Sequence, residues 1–319
     1  MDVIEGWRDV PSSAKGASIA IGNFDGVHRG HQAVIAAAKD AARSIGARSG
    51  VMVFEPHPRK VFQPDKPLFR LTSLARKIDL FREFGLDLAM VIPFDQELAS
   101  LSAEDFVRRV LVDGFGIRHA AVGFDFFFGR GRGGNPDILR QLGVKHGFGV
   151  TIVEPKGGAG EIFSSTRIRE LLAEGDVAGA AEMLGHWWRV SGIVTGGAGR
   201  GTGLGFPTAN LALDTGQALR HGIYAVRVHI GERTMNGAAY LGTRPTFDSG
   251  PPVLETFLFD FDGNLYGEEI EVEFIAFVRG DAKFKSAEAL SAQMEADCMK
   301  ARELLHGKGH RPAIEARMG

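Results

Sequence analysis

Cysteine is nearly absent from this sequence: Cys298 stands alone in 319 residues. That excludes an intramolecular disulfide and speaks against a cysteine-based zinc site. It fits a reducing compartment, so a cytoplasmic protein is expected. Cys298 falls in an amphipathic stretch, where the expected role is a small buried hydrophobe. A strong charge of either sign is also missing. The net charge is −2, so neither nucleic acid nor an anionic membrane is an expected partner, and the short basic cluster Arg130–Arg132 does not change that. No window approaches about eighteen uninterrupted apolar residues, so no membrane span is expected. The opening MDVIEGWRDVPSS lacks the apolar centre of a signal peptide. There is no internal repeat, no low-complexity linker, no HExxH and no GK[ST].

Glycine, by contrast, is plentiful. The 43 glycines cluster at 129–134, 157–160 and 196–205, marking tight turns or places where backbone approaches a ligand closely. Apolar residues make up 44% and charged residues 24%, as in ordinary globular proteins. The length allows one large domain or two of ordinary size.

The chain has two rhythms. From about 17 to 155, apolar runs alternate with amphipathic stretches. The runs are ASIAIGNF (17–24), SGVMVFEP (49–56), LAMVIPF (88–94), HAAVGFD (119–125) and GVTIVEP (149–155). The helical stretches between them include SLARKIDLFREFG, ending at Gly85, and AEDFVRRVLVDGFG, with Ser102 as N-cap. Continuous apolar strands alternating with helices predict a Rossmann-like parallel sheet covered on both faces. Ligands bind beyond the carboxyl ends of such strands. Four loops therefore converge on one edge: GNFDGVHRGH, EPHPR, PFD and GFDFFFGRGRGG. Three of them carry Phe, an apolar supply for a flat ligand. Residues 164–185 predict a capped helix and a second short one. After HWW (186–188), short β-rich segments run from 189 to 279, with clear alternation in EIEVEFIAFV. They predict a small antiparallel barrel, closed by a helix over 286–306. The expected domains are 1–186 and 187–319.

In GNFDGVHRGH, a glycine-rich strand-to-helix turn offers N–H groups and a helix N-terminus to phosphate. His28 and His31 are suited to donate hydrogen bonds there. A metal site needs a third ligand that the sequence does not obviously provide, and a plain loop with surface histidines remains open. In GGAGRGTGLGFPTANL (196–211), backbone N–H groups can wrap phosphate, and Thr208 and Asn210 offer oxygen ligands for Mg²⁺. The competing reading is a glycine-rich hairpin.

The longer strings are more specific. GNFDGVHRGH resembles the HxGH signature of nucleotidyltransferases, in the form carried by the FAD synthetase module of bacterial riboflavin kinase/FAD synthetase enzymes. SSTRIRE (164–170), EPHPR and VGFDFFFGRGRGG match the module's other motifs. The resemblance implies adenylyl transfer from ATP to FMN. His28, His31 and Arg167 would then be catalytic. Gly22, Asn23, Phe24, Gly30, Ser164, Ser165 and Thr166 would hold the nucleotide, and Phe54, Pro56, His57, Asp125 and Phe126 the flavin. GRGTGLGFPTAN resembles the PTAN signature of riboflavin kinases, and GIYAVRV, YLGTRPTF and LETFLFDFDGNLYGEEIEVEF match neighbouring family segments. This second resemblance implies Glu255 as general base toward the ribityl hydroxyl. Gly199, Arg200 and Gly201 would bind the nucleotide, Arg244 the flavin, and Thr208 and Asn210 the Mg²⁺. ATP is the implied co-substrate, and FMN and FAD are the product ligands. Riboflavin, FMN and ATP are the expected partners, with weak self-association as the expected assembly. The sequence departs from the family's common pattern at Ala198 and Thr202 in the glycine loop, at Phe257, where a His is frequent, and at Asp281, where a Glu is frequent. A non-catalytic flavin-binding protein is the rival reading, and intact His28, His31, Arg167, Thr208, Asn210 and Glu255 argue against it.

Overall fold

The computed structural model describes residues 1–158, 161–196, 208–213, 216–242 and 252–307. These form two compact units. Among the described residues, one holds residues 1–66 and 72–164 and the other residues 67–71 and those from 165 to 307.

In the first unit, β1 (Asp2–Glu5), β2 (Ser18–Ile21), β3 (Ser49–Glu55), β4 (Leu88–Pro93), β5 (His119–Gly123) and β6 (Gly149–Val153) form a sheet in the order β1-β4-β3-β2-β5-β6. Every pairing in it is parallel. Helices α1 (Arg29–Ile45), α2 (Pro58–Phe62), α3 (Leu74–Glu83), α4 (Gln96–Ser100), α5 (Ala103–Asp105) and α6 (Pro136–His146) connect the strands. The apolar runs are buried because helices need both faces of a parallel sheet, as the core of Ile19, Ile21, Met52, Leu88, Met90, Ala120 and Val122 shows. Strand order reverses at β2, the switch point where open sheets of this kind bind ligands. The loops after β2, β3, β4 and β5 leave one edge, as expected. A small hairpin, β7 (Gly157–Gly158) with β8 (Glu161–Ile162), follows β6.

Two elements depart from the expectation. Residues 2–5, predicted only to lack a signal peptide, add an edge strand beside β4. The helix expected over 103–116 is α-helical only to Asp105 and continues as a π-helix over Phe106–Gly114. There the Phe115 N–H reaches back five residues to Val110 O at 3.1 Å. The wider turn buries Phe106, Val107, Val110 and Leu111 together. Ser102 caps this helix as predicted, accepting the Asp105 N–H at 3.0 Å.

The second unit opens with α7 (Ser165–Glu174) and α8 (Val177–Leu184). Then β9 (Arg189–Ile193), β10 (Thr208–Ala212), β11 (Gly222–Ile230), β12 (Arg233–Gly242), β13 (Val253–Leu258) and β14 (Glu269–Arg279) form an antiparallel sheet in the order β10-β13-β12-β11-β14-β9. Its edges meet where Thr195 bridges to Asn210, so the sheet nearly closes into the expected barrel. Helix α9 (Ala287–Gly307) covers one face, with Ala301 and Leu305 packed on Ala225, Ala238 and Ile275. β10 is a correction: the sequence reading took Thr208 and Asn210 as loop residues, yet both lie on a paired strand.

One ionic cluster in this unit carries a prediction. Glu273 on β14 is buried, with Arg189 at 2.7 Å, Arg227 at 3.4 Å and His229 at 3.7 Å. Burial pushes its pKa up, but these neighbours win and hold it at about 2. A depressed carboxyl pKa stabilises the fold above its unfolded value of about 4.5 and loses that contribution as pH falls through its folded value. The melting temperature should therefore drop between those limits, and Glu273→Gln should be less stable at neutral pH with a flatter acid dependence. A variant profile parallel to that of the unsubstituted chain would contradict this.

Candidate active sites

The turn after β2 is strained and tied down. Phe24, Gly26 and Val27 have φ of 48°, 88° and 45°, a left-handed conformation that is a true outlier for a β-branched residue. His28 follows as the N-cap of α1, where its Nδ1 accepts the His31 N–H at 3.3 Å. An accepting Nδ1 puts the ring proton on Nε2, leaving that N–H as the donor. The two imidazoles stack with centroids 3.6 Å apart. A Cβ on Gly30 would meet the His28 ring at 3.1 Å, so glycine there permits the stack. Phe24 is buried edge-on to His31 and to Phe81 of α3. Burial first, then the neighbouring charges of His28 and Lys77, hold His31 well below an ordinary histidine pKa of 6.5. Among the described residues, Asn23 Oδ1 and His31 Nδ1 here have no hydrogen-bond partner. Gly22, Asn23, Phe24, His28, Gly30 and His31 thus come together as expected, with the start of α1 behind them.

Around the neighbouring loops the phenylalanines form a continuous row. Phe62 meets Phe94, Phe94 meets Phe54, Phe54 meets Phe106, Phe106 meets Phe128, and Phe128 stacks on Phe126, with centroids 5.4 to 6.2 Å apart. Phe54 is mostly buried, and Phe126 is half-buried at the end of the row. Pro56 and Asp125 are exposed. His57 caps α2, accepting the Arg59 N–H at 3.1 Å. The sequence reading missed Phe106, because nothing in an amphipathic helical stretch marks one core residue as lining a loop cluster.

Ser164 ends the first unit, and Ser165, Thr166 and Arg167 open α7 in the second. Arg167 reaches its own helix's Glu170 at 3.3 Å and Glu174 at 3.7 Å.

In the barrel, Asn210 of β10 lies opposite Glu255 of β13, Glu255 lies opposite Tyr240 of β12, and Thr208 lies opposite Phe257. Alternation puts Thr208, Asn210, Glu255 and Tyr240 on one face. Leu211, Leu254 and Leu241 form the buried row on the other. The backbone of Asn210 is held at the barrel seam by the Thr195 N–H, 2.9 Å from Asn210 O. Its side chain is 3% exposed, and Oδ1 has no hydrogen-bond partner among the described residues. That oxygen, beside Thr208 and Glu255, suits a hard divalent cation that takes few protein ligands. Among the described residues no group of three or more His, Cys, Asp or Glu is arranged to hold a metal. Phe257, on the same face as Thr208 and Glu255, packs with Phe259 against the core that contains Ala301 and Leu305. Ala198, Gly199, Arg200, Gly201, Thr202 and Arg244 lie outside the described residues.

Comparison with known proteins now bears on these two sites. Residues 10–167 match the FAD synthetase family and residues 184–305 the riboflavin kinase family. A bifunctional riboflavin kinase/FMN adenylyltransferase from Pseudomonas fluorescens is 39% identical over 312 residues, covering 98% of this chain and all of that one. The chain belongs to the bifunctional riboflavin kinase/FMN adenylyltransferase family. Members of that family from Escherichia coli K12 and Bacillus subtilis are each 37% identical, covering 95% and 89% of this chain and 97% and 90% of theirs. A solved structure titled a macrolide-efflux protein from Streptococcus pneumoniae superposes with a TM-score of 0.85 at 29% identity, over 95% of this chain and 99% of that one. Among the described residues of this family member, no helix is long and apolar enough to cross a membrane.

Proposed function

We infer that the two activities of this family divide between the two sites: FMN adenylylation over residues 1–186 and riboflavin phosphorylation over residues 187–319. The chain is a bifunctional enzyme that makes FMN from riboflavin and FAD from FMN, with ATP as co-substrate. The observation that supports the assignment of residues is that motif residues of each site bring together buried polar atoms without partners among the described residues, Asn23 Oδ1 and His31 Nδ1 at the strained turn and Asn210 Oδ1 opposite Glu255.

In adenylyl transfer an FMN phosphate oxygen attacks the α-phosphorus of ATP, and pyrophosphate leaves. No covalent enzyme intermediate is needed, so catalysis is positioning and charge stabilisation. His28 donates from Nε2, and neutral His31 lies against it. Ser164, Ser165, Thr166 and Arg167 act on the β- and γ-phosphates. Phe54, Phe126 and the phenylalanine row supply an apolar wall for the flavin, with Pro56, His57 and Asp125 at its rim. In phosphorylation the ribityl 5′-hydroxyl attacks the γ-phosphorus, and the Glu255 carboxylate takes its proton. Thr208 and Asn210 would hold Mg²⁺, which would supply positive charge against the ATP phosphates. Gly199, Arg200 and Gly201 wrap those phosphates, and Arg244 serves the flavin.

Incubating the purified chain with riboflavin, ATP and Mg²⁺ and resolving flavins by chromatography should show FMN first and FAD after it. FMN without FAD, or FAD only when FMN is supplied, would reduce the protein to one working site. The low pKa of His31 adds a pH prediction. The neutral ring is the working form, and it persists below pH 6.5. The His31 ring should therefore titrate below that value, read from its imidazole proton shifts against pH; titration at or above it would contradict a neutral His31.

A further inference from the structure

The turn that carries His28 needs something to hold it. Left-handed backbone at Phe24 and Val27 is unfavourable for residues with a Cβ, and it persists only where surrounding structure over-determines it. The support comes from α3 and the two residues before it. Lys77, fully buried on α3, donates from Nζ to Asn23 O at 2.9 Å. Phe81 of the same helix packs edge-on to Phe24. Thr72 makes the most specific connection. Its Oγ1 accepts the Gly26 N–H at 2.8 Å, and its own N–H donates to Asp25 Oδ1 at 3.2 Å. Thr72 is 5% exposed and Asp25 4%, so little water reaches this reciprocal pair. Ser73, the next residue, caps α3 by accepting the Arg76 N–H at 3.2 Å, which fixes where Thr72 stands. Helix α3 is packed into the sheet's cover through Ile78, Leu80 and Phe81. Its rigidity is passed to the turn through Lys77, Phe81 and the Thr72 hydroxyl, and of these the hydroxyl holds the Gly26 N–H.

We propose that Thr72 is a positioning residue for adenylyl transfer, which holds the Phe24–Val27 turn left-handed so that His28 is aimed at the nucleotide phosphates. The proposal rests on the reading of GNFDGVHRGH as the phosphate turn. Thr72 touches no substrate; it acts through Gly26 and Asp25. The hydroxyl is what matters, because it accepts the Gly26 N–H, whereas the backbone N–H to Asp25 survives any substitution other than proline.

Thr72→Val keeps the shape and removes the acceptor, and Thr72→Ser keeps the hydroxyl. Small displacements of positioned groups cost up to about 100-fold in rate, so Thr72→Val should lower kcat for FAD formation from FMN and ATP by about 10- to 100-fold. KM for ATP should change much less, because the loss falls on the transition state rather than on uniform binding. Thr72→Ser should restore most of the rate. FMN formation from riboflavin, read on the same preparations, should be unchanged in both variants and reports that the chain has folded. A Thr72→Val enzyme with FAD formation at the level of the unsubstituted chain overturns the proposal, and so does a loss that Thr72→Ser fails to recover. His28→Ala, run in parallel, separates the two claims. If it retains FAD formation, the reading of the turn itself fails. If it abolishes FAD formation while Thr72→Val does not, only the positioning role fails.

Discussion

Replacing His28 with alanine stops FAD formation while FMN formation continues. The expected loss is large because the ring does two jobs. On the proposed reading its Nε2–H donates to the phosphates, and removing one preorganised donor costs about 10²–10³ in rate. Its Nδ1 is also the N-cap acceptor for α1 at the His31 N–H. An alanine N-cap costs on the order of 1 kcal/mol of local stability, too little to unfold a unit with a core of this size. The kinase activity is the internal control, since the barrel's polar face shares no residue with the turn. The assay is FAD formed from FMN and ATP, and FMN formed from riboflavin and ATP, on one preparation. A variant that kept FAD formation would show that the histidines are ordinary loop residues after all.

Glu255→Gln gives the mirror result. Glutamine fills the same space opposite Asn210 and Tyr240 but cannot take a proton from the ribityl hydroxyl. Loss of a general base costs about 10²–10⁴ in rate, so FMN formation collapses while FAD still forms from supplied FMN. The alternative for Glu255 is a strand carboxylate facing solvent, which predicts a rate near that of the unsubstituted enzyme. Its place beside the buried, unpartnered Asn210 Oδ1 distinguishes it from such a residue.

How far these sites could be read in the sequence depends on the range of the interaction. The parallel sheet is legible because a strand covered on both faces must be largely apolar, and β2 to β5 are. The loops at its carboxyl edge followed from parallel pairing alone. The strand β1 was not legible: DVIE is short and partly exposed, and it pairs only with a strand more than 80 residues away. The π-helix at 106–114 was read as an ordinary helix because one wider turn barely alters an amphipathic pattern. β10 was taken for part of a glycine loop, since its five residues follow a glycine-rich run and its pairing to β13 is long-range. Thr72 left no local trace, because its partners Gly26 and Asp25 lie 46 and 47 residues back. His28 and Glu255 are candidates because motif strings single them out; what holds them in place is visible only in the fold.

The central claim is that two independent sites on one chain act in sequence through free FMN. It is tested most directly by mixing the His28→Ala and Glu255→Gln variants with riboflavin, ATP and Mg²⁺. Neither variant alone should make FAD from riboflavin, since one stops at FMN and the other never forms it. The mixture should make FAD, because FMN released by the first variant is adenylylated by the second. A mixture that accumulates FMN but no FAD, from variants that each retain their own half-reaction, would contradict the account.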